Sequence, residues 1–161
     1  MTQKHSGFQA LDNIDMNGNQ LQNVDSNKTV RAYVPFRANT GYTYTTDTNY
    51  VYKAAMLTFD KHKYPNLQSI KFCAHLRTEN ATATAYLRLA NKTDNVHYPD
   101  SELTSIVTSD YDVDGWKESA DIKADLPSGE KIYIVTIKTS NGTYQARLNN
   151  CMFIIEYKVV A

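Results

Sequence analysis

From Thr29 onward, apolar residues fall on every second position in runs of strand length, and this period of two constrains the fold more than any other feature. Ile70, Phe72, Ala74 and Leu76 mark one face of such a run, with Lys71, His75 and Arg77 on the other. Val30, Ala32, Val34 and Phe36 alternate with Arg31, Tyr33 and Pro35, and Ala83, Ala85, Leu87 and Leu89 repeat the pattern. Residues two apart on an extended chain share a face, so each run presents one side to a core and one to solvent. Further runs are Tyr50 to Phe59, "ELTSIVTS", "WKESADI", Lys131 to Thr139, a short strand near Tyr144 to Leu148, and the final "CMFIIEYKVV". A polar, Tyr-rich stretch, "RANTGYTYTTDTNY", reads as a long loop, and Asn141 with Gly142 reads as a turn. No window keeps a 3.6-residue period over three turns, so no helix is predicted.

About eight or nine strands in roughly 130 residues predict an all-β fold, two antiparallel sheets packed face to face, with a jelly-roll sandwich as the best single architecture. An immunoglobulin-like sandwich is the alternative, without the Cys-Trp-Cys spacing that would support it. A chain of 161 residues has room for one such core and hardly for two. Residues 1–28 are instead rich in Asn, Gln and Asp and form a separate N-terminal segment, with the boundary at "SNKT" and the sandwich over residues 29–161.

Lys+Arg and Asp+Glu are both 17, which gives no electrostatic reason to expect nucleic acid or an anionic membrane as partner. The start "MTQKHSGFQA" has no apolar signal region and no run approaches a membrane span, so a soluble protein without membrane insertion is expected. Cys73 and Cys151, the two cysteines, fit either one bridge or two buried thiols.

Candidate sites come from three places. In "DYDVDGWKESAD", Asp110, Asp112, Asp114, Gly115, Glu118 and Asp121 fall at positions 1, 3, 5, 6, 9 and 12 of a calcium loop, with carboxylates whose mutual repulsion a hard cation would relieve. Position 12 is Asp instead of the longer Glu, and the flanks read as strand, so a solvated acidic turn competes with the calcium loop. Tyr42 and Tyr44 in their polar loop, with Tyr111 and Trp116 bracketing the acidic turn, are candidate ligand-binding residues, because such rings stack on sugar faces or anchor interfaces. Outward-facing strand tyrosines are the plainer reading of each one alone. His5, His62, His75 and His97 lack zinc spacing, and no nucleophile motif or phosphate-binding loop occurs, so neither an enzyme nor a cofactor other than calcium is expected. Four N-x-[ST] triplets, at Asn27, Asn80, Asn91 and Asn141, read as chance in an Asn- and Thr-rich chain.

The third place is "LDNIDMNGNQLQNVD". A turn at Asn17 and Gly18 would set Met16 opposite Asn19 and Ile14 opposite Leu21 in a hairpin. Leu11, Ile14, Met16, Leu21 and Val24 give it too little to bury alone, so copies from several subunits are expected to share a thin core. The stretch "IDMNGNQLQNV" resembles a short element of bacteriophage tail-fibre and receptor-binding proteins, where it occurs in trimeric portions or near a globular tip. "AYLRLANKTDNVHYPDSELTS" and "LPSGEKIYIVTIKTSNGTYQARLNNCMFIIEY" resemble the jelly-roll domains of such tips through Arg88, Leu89, Asn91 and Thr93, then Ser101 and Glu102, then Leu126, Gly129, Tyr133 and Val135.

The resemblance implies a homotrimeric virion surface protein, in the tail or on the capsid, that contacts other virion proteins or a host cell-surface saccharide. The alternatives are a capsid decoration protein, with the N-terminal segment as a gripping arm, and a carbohydrate-binding module of a secreted protein.

Overall fold

The computed structural model describes residues 28–38, 43–93, 102–111 and 115–159. The N-terminal hairpin and its apolar residues Leu11, Ile14, Met16, Leu21 and Val24 lie outside these, as do Tyr42, Asp112 and Asp114. Period-two runs become strands β1 (Thr29–Pro35), β4 (Val51–Phe59), β5 (Leu67–Thr78), β6 (Ala85–Asn91), β7 (Glu102–Thr108), β8 (Trp116–Asp121), β9 (Lys131–Thr139) and β10 (Ala146–Lys158). Two short strands, β2 (Arg37–Ala38) and β3 (Thr43–Thr45), precede β4, and a single 3-10 turn at Lys61–Lys63 leads to β5.

One sheet has the order β1-β10-β5-β8, with β3 on the same edge of β10 as β1; the other runs β2-β4-β9-β6-β7. Of the eight long strands the first pairs with the last, the second with the seventh, the third with the sixth and the fourth with the fifth, all antiparallel. These nested pairs, divided between two packed sheets, define the jelly-roll sandwich expected from the alternation.

The inner faces are the apolar faces read from sequence. Ile70, Phe72, Ala74 and Leu76 from β5 and Ala85, Leu87 and Leu89 from β6 are all buried, as is Ala83 just before β6. Between the sheets the Phe153 ring lies 5.0 Å from Phe36, 5.1 Å from Phe59, 5.7 Å from Tyr133 and 6.4 Å from Phe72, mostly edge-on. Edge-on contact sets the positive rim of one ring against the negative face of the next, a gain beyond buried area alone.

Two expectations need correction. The short strand near Tyr144 and the final run are one strand, β10, interrupted by a β-bulge between Leu148 and Asn150. The bulge inserts a residue, so the inward positions run Ala146, Leu148, Cys151, Phe153, Ile155, and the step of three breaks the period. The Tyr-rich stretch is also not all loop, since it holds β2 and β3. Strands this short show no alternation of their own; β3 is held by its register on β10, with Tyr44 opposite Arg147.

Beside Phe36, whose N–H donates to the Cys151 carbonyl at 3.0 Å, the chain leaves β1 for the second sheet. At the other end of the sandwich the backbones of Lys28 and Val159 meet, Val159 N–H donating to the Lys28 carbonyl at 3.4 Å.

Cys73 and Cys151 are both free and both buried. They sit on neighbouring strands but on opposite faces: Cys151 is opposite Ala74 in the core, and Cys73 is opposite Met152 on the outer side. Burial pushes the Cys73 thiol up to about 11 and the Cys151 thiol to about 12, from an ordinary 9.0. The thiols therefore stay protonated in the fold, and their contribution to stability is complete below pH 9.0 and is lost as pH rises towards those higher values.

Phe153→Ala is expected to destabilise the sandwich by about 3–5 kcal/mol, read as a lowered denaturant midpoint, while Tyr33→Ala on the exposed face changes it by less than about 1 kcal/mol. Both thiols are expected to resist alkylation near about pH 8 in the folded protein and to react once denaturant unfolds it, with no change of melting midpoint on adding reductant.

Candidate functional site

The outer face of the β1-β10-β5-β8 sheet can be built row by row from the strand register. One row is Tyr44 on β3, Arg147 on β10 and Arg77 on β5, each directly opposite the next. The next row is Asn150 on β10, His75 on β5 and Trp116 on β8. Neighbouring strands lie about 4.8 Å apart, so the first row spans roughly 10 Å from Tyr44 to Arg77.

Three of the four aromatic candidates gather at this end of the sheet. Tyr44 is 62% exposed; Trp116 is 48% exposed, with its ring 5.6 Å from that of His75. Tyr111, 52% exposed, is bridged to Thr78, the residue after Arg77. Tyr42 lies outside the described residues. A cleft of about 320 Å³ opens here, lined by Tyr44, Arg77, Gln145 and Arg147.

Arg147 is held in place by neighbours within the fold. Its Nη2 donates to Glu79 Oε1 at 2.9 Å, and its Nε donates to Gln145 Oε1 at 3.1 Å. Glu79 Oε2 accepts from the Gln145 backbone N–H at 3.0 Å, and the Glu79 N–H donates to the Gln145 carbonyl at 2.9 Å. Sequence reading missed Arg77, Gln145, Arg147 and Glu79. Arg77 was visible as a polar-face residue, but its partner Arg147 comes from the far end of the chain, ahead of a bulge that hides its phase.

The opposite sheet has a different outer surface. Arg88 is buried there with its guanidinium 4.1 Å from the centre of the Tyr50 ring, and the Lys138 ammonium is 4.8 Å from the same centre and 5.1 Å from that of Tyr86. Tyr50 thus lies over Arg88 as a cation–π cover. Burial raises the Tyr50 phenol above its ordinary value, so the ring stays neutral.

The acidic turn does not bring its described carboxylates together. Asp110 pairs with Lys117 at 2.5 Å, and the hydrogen bond from that ammonium holds the Asp110 carboxyl below its ordinary range. Glu118 pairs with Lys71 across the strands at 3.1 Å. Asp121 accepts the Ile70 N–H at 2.9 Å and the Lys123 N–H at 3.0 Å, while Ser119 Oγ accepts the Phe72 N–H at 3.0 Å, so these side chains serve the β5 edge where β8 bulges. Among the described residues no group of three or more His, Cys, Asp or Glu converges as a metal site.

The N-x-T triplets have a local role. At Asn80, Asn91 and Asn141 the side-chain oxygen accepts the backbone N–H two residues on, from Thr82, Thr93 and Thr143, at 2.9, 3.0 and 2.9 Å. Each is an Asx turn, in which the side-chain oxygen takes the place of a backbone acceptor at the bend. Asn27 lies outside the described residues.

Because Asp110, Glu118 and Asp121 already have partners, the melting midpoint is expected to be the same in millimolar calcium and in chelator. A midpoint that rises with calcium would show that Asp112 and Asp114 recruit them to an ion.

The chain matches no protein-family model and no curated protein.

Proposed function

We propose that the chain is a non-enzymatic structural protein of a bacteriophage virion, a tail or baseplate component whose jelly roll contacts a saccharide on the host surface. The observation that carries this reading is the placing of exposed Tyr44 and Trp116 in adjacent rows of the outer sheet face that holds Arg77 and Arg147. Exposed rings cost solvation where they do no work, and rings set beside hydrogen-bonding side chains in a cleft suit the alternating apolar faces and hydroxyl edges of sugars. The resemblance of Ile14 to Val24 to tail-fibre segments supports the virion setting. In this reading the N-terminal segment is the trimerising element, and neighbouring virion proteins are its other partners.

Solution mass is expected to be three times the chain mass, and removing residues 1–25 is expected to leave a folded monomer. A monodisperse monomer of the full chain would sink the trimer. Binding to host-envelope saccharide is expected to fall by about tenfold or more in Tyr44→Ala, with the melt unchanged. Electron microscopy of particles with the chain labelled is expected to find it on the tail; label on the shell would replace this reading with capsid decoration.

A further inference from the structure

We propose that the outer face of the β2-β4-β9-β6-β7 sheet holds a binding site for a small oxyanion, a carboxylate or phosphate group, received by the Arg88 guanidinium and the Thr136 hydroxyl beneath the Tyr50 ring. The site lies on the sheet opposite to the one that carries Tyr44 and Arg147, and it does not depend on the saccharide reading.

Leu87 and Leu89 on β6 and Val135 and Ile137 on β9 belong to the core, so the residues between them, Arg88 and Thr136, fall on the outer face. The register sets these two directly opposite each other, and two residues away on each strand Tyr86 is opposite Lys138. Although the face is an outer one, Arg88 keeps only 7% of its surface exposed and Thr136 0%. Arg88 Nε and Thr136 Oγ1 are both buried without a hydrogen-bond partner among the described residues. Two open polar atoms on directly opposed residues are an exception to the general satisfaction of buried groups.

The chemistry of the two atoms selects the ligand. Nε carries a hydrogen and can only donate, and the Thr136 hydroxyl can donate as well, so a group placed between them has to accept from both. A water could do so, yet it would leave the guanidinium charge uncompensated, and arginine is seldom buried without an ionic partner. Among the described residues no carboxylate forms an ion pair with Arg88. Glu102, whose charge acts on Tyr50, is exposed on β7 opposite Ala90. The Tyr50 ring, 4.1 Å from the guanidinium, offsets part of the cost of burial, since a ring quadrupole attracts a cation less strongly than a full negative charge does. The Lys138 ammonium, 4.8 Å from the same ring, is a second cation that an oxyanion serves and a water does not. Tyr50 stands in the connection between β3 and β4 and covers the guanidinium, so the ligand enters by displacing that ring.

Heteronuclear NMR of the Arg88 Nε–H group in the full chain tests this by titration with inorganic phosphate, with acetate and, at matched ionic strength, with chloride. Phosphate or acetate is expected to shift that resonance saturably while chloride does not, and the tighter of the two identifies the group the site takes. Thr136→Val, which removes the hydroxyl and keeps the shape, is expected to weaken the binding about tenfold with the melting midpoint held or raised, because an unpartnered buried hydroxyl gives way to a methyl. Lys138→Gln, at a partly exposed position, is expected to weaken it with the fold intact, so the test needs no variant of Arg88. An equal, unsaturated drift in all three salts overturns the inference and leaves a buried water as the partner of Nε. Saturable binding that neither variant weakens overturns it as well. Both outcomes leave the saccharide reading of the other sheet standing.

Discussion

Strand β10 is the constraint on which the rest of the molecule depends. One edge carries β1 and β3 end to end, the other carries β5 along most of its length, and its inward side supplies Phe153 to the aromatic contacts between the sheets. Because the first long strand pairs with the last, the ladder cannot close until nearly the whole chain is available. Such non-local pairing costs loop entropy before any contact offsets it, so it folds slowly relative to helical proteins of the same size. The compensation is an inner layer in which Ile70, Phe72, Leu87, Leu89, Val135 and Ile155 are all fully removed from water.

The bulge between Leu148 and Asn150 joins this core to the cleft. Beyond it, Cys151, Phe153 and Ile155 face inward; before it, Ala146 and Leu148 do, and Arg147 therefore faces out beside Arg77. Were the same residues laid in a regular ladder without the bulge, a period of two counted back from Phe153 would turn Arg147 into the core and Leu148 out to solvent; the extra residue prevents this. The irregularity thus keeps Leu148 in the core and Arg147 on the outer face beside Arg77.

Much of the fold was legible because burial in a sandwich writes its period directly into each strand. Ile70 to Leu76 and Ala83 to Leu89 fell on the inner faces as read. What escaped the reading was non-local or aperiodic: β2 and β3 were too short to alternate, and the β10 bulge split one strand into two. The site was legible only in part. Tyr44, Tyr111 and Trp116 could be picked out as aromatics in polar surroundings, and the structure places Tyr44 and Trp116 on one face, with Tyr111 at the edge beside Thr78. The arginines between them were invisible as a pair, since their adjacency exists only in the register of β5 with β10. The acidic turn shows the converse: a spacing that suits an ion in sequence is shared out in the fold, among the described residues, to Lys117, Lys71 and the amides of β5 and Lys123.

The contact between Lys28 and Val159 has a consequence for how the domain presents itself. Both backbones meet where β1 begins and β10 ends, whereas Arg147 stands near the start of β10, eleven positions and roughly 35 Å away along an extended strand. If, as proposed, the segment before residue 28 attaches the domain to a support, the sandwich is held at the Lys28–Val159 end and Arg147 stands towards the other. In that arrangement the long axis of the sheet would act as a spacer between the attachment and the outer face that carries Tyr44 and Arg147.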